Sequence, residues 1–254
     1  MTLYIYIHTK KYYGGRNMKY KKSPLDIYLQ NQIDKNKNML KQTIDSTLQE
    51  EQACLEEISK ALNHCKTNIS KCNQILEGKY ISHISMLSVK KNAFQDNLDI
   101  WNMFGHIQMA SIEMKQYTKK ISMDNDNWSR HENIKAAYTS IYETSKNIID
   151  STAKVIKFVV SNYPNIDCAT LKDRRKELTK FRENNADTLK NIRNTISAHR
   201  DKDVTVQIDM IENVHLSDAL LLISEYEQIL NELGGAVSPI KQLGISRLQS
   251  VFSK

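Results

Sequence analysis

Apolar residues along the chain recur at three- and four-residue steps over long stretches, the mark of helices that bury one face. The strongest run is Ile44, Leu48, Glu51, Leu55, Ile58, Leu62, Cys65, Ile69, Cys72 and Leu76, a coiled-coil-like heptad with one polar defect at Glu51. Ser23 at the cap and Pro24 at the first helical position mark its start, and Gly78 its end. A second helix is expected from about Ser82 to Ile121, with Phe94, Leu98, Trp101, Phe104 and Ile112 on its apolar face. The short link Gly78 to Ile81 makes the two an antiparallel helical hairpin.

Asn125 to Asn127 break the pattern, and Ser129 with Glu132 reads as a capping box that opens a third helix. Its stripe is Ile134, Tyr138, Ile141, Ser145, Ile148, Thr152, Val155 and Val159, with a stop before Pro164. Thr170 with Asp173 is expected to cap a fourth helix that carries Leu178, Phe181, Leu189, Ile192 and Ile196 without interruption. Asp201 to Asn213 is a polar loop in which Val204 to Ile208 reads as a lone strand with nothing to pair with. A last strong helix runs from about Leu216 through Leu220, Ile223, Tyr226 and Leu230 to Leu233, where Gly234-Gly235 is expected to end it. Ser238-Pro239 then restarts a short tail to Phe252.

The pattern gives an all-α chain: a leader over residues 1–22, a long helical hairpin over 23–122, a helical bundle over 129–234 and a short C-terminal helix over 235–254. In the leader, Leu3 to Ile7 is too short for a signal h-region and no small-residue cleavage site follows. Gly14-Gly15-Arg16-Asn17-Met18 is what a purine-rich ribosome-binding sequence gives when translated in frame. Met18 is therefore expected to be the true start, leaving Met1 to Asn17 without a role.

Composition narrows the function classes. No run approaches the roughly 18 apolar residues of a membrane span, and the expected location is cytoplasmic. The net charge of +7 and pI near 9.0 favour a polyanionic partner. Cys65 and Cys72 stand two turns apart on one helix, about 10 Å, too far to ligate one zinc, and Cys54 and Cys168 add no paired spacing; all four read as small core residues. There is no phosphate-binding glycine loop, no alternating strand-helix pattern and no nucleophile elbow, and the lone Glu-x-x-His, Glu212 to His215, falls short of the two that a di-iron bundle needs. Trp101 and Phe104 read as core packing, and His64, His83, His106, His131 and His215 as structural.

The chemistry-bearing stretch is Leu189 to Asp203. Leu189, Ile192 and Ile196 form an apolar stripe, and His199 is the next step along it. Arg193 and His199 stand about a third of a turn and about 9 Å apart on a straight helix. Either the helix unwinds after Ala198, or a second chain completes the site across a two-fold interface.

Arg193, Asn194 and His199 resemble the motif of the HEPN superfamily: an arginine, a polar residue, and a histidine after four to six intervening positions. The resemblance covers Ser129 to Gly234. It implies a metal-independent ribonuclease or an RNA-binding remnant, of the kind found in toxin-antitoxin and abortive-infection defence. It also implies a homodimer with the motif at its interface, an antitoxin or other protein partner, and no cofactor. His199 would then transfer the protons, Arg193 would hold the phosphorane and Asn194 would orient either group. From a different class, the heptads suggest a non-catalytic helical scaffold, or an RNA- or protein-binding module, acting through the hairpin.

Overall fold

The computed structural model describes residues 23–77, 84–193 and 214–252. Asn194, His199, Ile196, His83, the Val204 to Ile208 run, the Met18 start and the Gly78 stop lie outside the described residues. Six helices are described, α1 (Pro24–Glu77), α2 (Ile84–Met123), α3 (Asn127–Asn162), α4 (Ala169–Asn184), α5 (Ala186–Ile192) and α6 (Leu216–Phe252), with no strand among the described residues. The protein is all-α.

α1 begins where the sequence indicates. The Ser23 hydroxyl accepts from the Asp26 amide at 3.0 Å and Asp26 accepts from the Ser23 amide at 3.3 Å, a reciprocal cap. Every member of the heptad stripe from Ile44 to Leu76 is buried or half-buried. α1 runs antiparallel to α2: Asp45 pairs with Lys119, Glu51 with Lys115, and Ile58 packs beside Gly105. The polar defect in the stripe has a partner set. Glu51 accepts from Lys115 at 2.7 Å and from Ser111 at 3.0 Å, and Lys115 also faces Glu227 of α6 at 3.6 Å. Burial holds the Glu227 carboxyl above the ordinary glutamate range, although Lys115 pulls it down.

α2 is the central helix, packed against α1, α3 and α6. Its most buried apolar positions are Ala93, Ile100, Met103, Ala110, Met114 and Ile121, a wider face than the aromatics alone suggest. Trp101 and Phe104 sit at the flank of that face, half-buried, with the Lys241 ammonium over both rings at 4.6 and 6.0 Å.

All eight residues of the α3 stripe are buried. The cap, however, is Asp126, whose carboxylate accepts from the Ser129 amide at 2.7 Å; Glu132 pairs with Lys135 instead of closing a capping box. Aspartate caps as well as serine does, and Asp126, three residues upstream, starts the helix one turn earlier. α4 likewise starts at Ala169, its amide bonded to Asp167 at 2.7 Å, and not from a Thr170 cap. The fourth helix is also interrupted. At Asn185 the backbone leaves helical geometry, at φ −104° and ψ 8°, while both its amide N–H and its side chain donate to the Phe181 carbonyl, at 3.2 and 2.8 Å.

The largest departure is α6, a single helix of 37 residues that passes through Gly234, Gly235 and Pro239. Two glycines cost about 1 kcal/mol each in a helix interior and a proline about 3. Burial outweighs this: Leu233, Val237 and Ile240 are all buried against the core, at about 1.5–3 kcal/mol each. Pro239 and Gly235, the residue whose carbonyl the proline leaves without its donor, are both exposed, so water can satisfy that oxygen. The N-terminus of α6 is tied to that of α1, because buried Asp26 accepts from the Ser217 amide at 2.9 Å and lies 3.3 Å from His215 Nδ1.

Candidate functional site

Arg193 is the one motif residue that the structure places. It follows the last residue of α5, which packs Leu189 and Ile192 against the core and so carries the arginine to the outer side of α3. There its Nε donates to Glu143 Oε1 at 2.5 Å, and its guanidinium lies 5.3 Å from the centre of the Tyr142 ring. The ion pair is about one-third to one-half exposed, 35% and 48% for the two side chains, and is therefore worth under about 1 kcal/mol. A competing oxyanion can replace it at little cost.

These groups sit in a cleft of about 420 Å³ between α3 and α4–α5. Lys146, Arg182 and Arg193 line it with Glu143, Asp150 and Glu183, and Tyr142, Ile149 and Thr179 complete it. Arg182 shares the aromatic platform, its guanidinium 4.8 Å from the Tyr142 ring centre. The cleft is charge-balanced, but the helices on one side of it are not: Ala169 to Arg193 carries eight lysines and arginines against four acids. That face suits a polyanion.

The described arginines differ in what holds them. Arg130 donates to the Asp124 carbonyl, Arg174 to Glu177, Arg175 to the Ile149 carbonyl, Arg193 to Glu143 and Arg247 to Asp96. Arg182 is half-buried with its Nε out of contact with solvent and without a hydrogen-bond partner, and its one polar engagement among the described residues is the Tyr142 ring.

A second polar cleft of about 380 Å³ lies between α2 and α3, lined by Asp99, Asn102, His106, Asn147, Asp150, Ser151 and Lys154. Burial and the nearby Lys154 hold His106 below the ordinary histidine range, so it is neutral at pH 7. His215 is exposed and pairs with Asp26. Cys65, Cys72 and Cys168 are buried and Cys54 is exposed; burial pushes the Cys65 thiol up to about 11, far from a reactive thiolate. Among the described residues no group of three or more His, Cys, Asp or Glu side chains is placed to hold a metal ion. No described helix is long and apolar enough to cross a membrane.

Tyr142 and Arg182 carry no motif in the sequence. Each stands one position after a buried residue, Ile141 and Phe181, at the flank of an apolar stripe where a long side chain can lie across the seam. No family model matches the chain, and neither a curated protein nor a solved structure matches it.

Proposed function

We propose that the chain is a metal-independent endoribonuclease of HEPN type, active as a two-fold dimer in a bacterial defence or toxin-antitoxin setting, under an antitoxin or other inhibiting partner. The observation that carries this reading is the position of Arg193 in an open cleft, held by an exchangeable ion pair beside Arg182 and Lys146, at the edge of a basic helical face. Arginine's planar fork matches the non-bridging oxygens of a phosphodiester, which would take the place of Glu143. His199 then transfers the protons, from the ribose 2'-hydroxyl and to the departing 5'-oxygen, and Asn194 orients it or the phosphate. Two chains supply two histidines, one for each role.

The test is cleavage of RNA in chelator by wild type, His199→Ala and Arg193→Ala. An acid-base contribution is about 10² to 10⁴ in rate, so each substitution should lower cleavage by at least the smaller factor while the circular-dichroism spectrum stays helical. Activity that survives both substitutions overturns the reading.

A second reading, a helical scaffold, is favoured by one feature. Ile75, Ile84, Met86 and Val89, at the ends of α1 and α2 that the 78–83 link joins, are exposed. A scaffold tolerates His199→Ala in every assay but stability, and loses its partner when these four become polar.

A further inference from the structure

The cleft beside Arg193 contains a second cation with no counterpart in the motif. The Nε atoms of Arg130 and Arg182 are both withdrawn from water without an acceptor, but Arg130 still donates through Nη2 to the Asp124 carbonyl, and Arg182 alone of the six described arginines has no oxygen partner among the described residues. A guanidinium N–H withdrawn from water without an acceptor is unfavourable, and an anion entering the cleft can supply the acceptor. The stem is held in place meanwhile by Tyr142, the same ring that Arg193 overlies, so both guanidiniums are kept within 5.3 Å of one ring centre. Two arginine forks on one rigid platform bind adjacent oxyanions with little loss of side-chain freedom.

We infer that Arg182 is an anion-binding residue of this cleft, and that it takes the phosphate adjoining the one at Arg193 on a single-stranded RNA. The carboxylates of the cleft do not oppose this strongly. Glu143, once a phosphate has displaced it from Arg193, is exposed like Asp150 and Glu183, and water and salt screen all three. The inference rests on the ribonuclease reading for its ligand, but its measurement is binding and not cleavage.

The experiment follows fluorescence anisotropy of a labelled 2'-O-methyl RNA oligonucleotide, which has no 2'-hydroxyl to attack, over a series of salt concentrations. Wild type is compared with Arg182→Gln, Arg182→Lys and Lys176→Gln, the last an exposed cation on the same helix. Losing a charged hydrogen bond to a phosphate should weaken binding about tenfold or more. The slope of log affinity against log salt should fall by about 0.7, the value for one phosphate contact on a single strand. Arg182→Lys keeps the charge and therefore the slope, and recovers part of the affinity. Its long stem also guards against a trivial loss of packing, which melting temperatures of all variants will reveal. The inference is overturned if Arg182→Gln binds within twofold of wild type, if Lys176→Gln costs as much, or if wild type does not bind the probe. Loss of binding in Arg182→Gln, together with unaltered RNA cleavage by His199→Ala, would keep the binding site and discard the ribonuclease reading.

Discussion

Gly235→Ala and Gly244→Ala, two identical substitutions on one helix, should change stability in opposite directions. Both residues lie in α6 and neither has a positive φ, so alanine fits the backbone at both. At Gly235 a new Cβ meets nothing within 4 Å, and the change only removes the entropic penalty of glycine in a helix. That stabilises by about 0.5–1 kcal/mol, a rise in melting temperature of about 1–4 °C for a chain of this size. At Gly244 the Cβ lies 2.8 Å from Asn97 Oδ1 and 2.8 Å from Ile100 Cδ1, inside the distance that real contacts keep. Asn97 is buried and its side-chain amide donates to the carbonyls of Gly244 at 2.8 Å and Ala93 at 3.0 Å, so it cannot swing aside without giving up those bonds.

Overpacking costs about 1–3 kcal/mol and a lost buried hydrogen bond about 1–3 more, against a propensity gain of about 1. Gly244→Ala should therefore be destabilised by about 1–5 kcal/mol, a fall of several degrees. Thermal unfolding by circular dichroism at one protein concentration measures both. If the helix instead ended at Gly234-Gly235, a left-handed cap there would make Gly235→Ala destabilising. A drop in melting temperature for that variant, or none for Gly244→Ala, refutes the continuous helix and its close approach to α2.

Glu227→Gln should be more stable relative to wild type at pH 8 than at pH 5, measured by urea midpoints. A carboxyl raised above its ordinary value of 4.5 gives stability that is fully present below that value and lost as pH rises through the folded one, and the amide has no such loss. Asp26→Ala should lower stability at pH 7 by about 1.5–3 kcal/mol, because buried Asp26 accepts the Ser217 amide and caps α1 as well. Desolvation raises the Asp26 pKa, but its hydrogen bonds outweigh this and hold it below 3.8, so that contribution is present above the ordinary value and fades as acid brings the pH through the folded one.

The long stripes were legible because burial follows the helical period directly. Ile44 to Leu76, and Ile134 to Val159, lie on the buried or half-buried faces that their spacing indicates. What the period could not convey was competition between local signals and distant packing. Gly234, Gly235 and Pro239 are strong local breakers, overridden by the burial of Leu233, Val237 and Ile240 in a core to which α2, more than a hundred residues away in sequence, also contributes. Asn185 went the other way: the backbone leaves helical geometry there although the apolar spacing runs on unchanged. Of the residues lining the candidate cleft, Arg193 is the one that a motif singles out. Tyr142 and Arg182 are not singled out, because their pairing depends on the antiparallel register of α3 and α4, which no short pattern encodes.

The ribonuclease reading makes its sharpest statement about products, and mass spectrometry of RNA fragments made in chelator reads them directly. In the proposed mechanism, attack by the 2'-hydroxyl, with Arg193 on the phosphorane and His199 moving the protons, would leave a 2',3'-cyclic phosphate and a free 5'-hydroxyl. Fragments bearing 5'-phosphates, or cleavage that requires added magnesium, would contradict it.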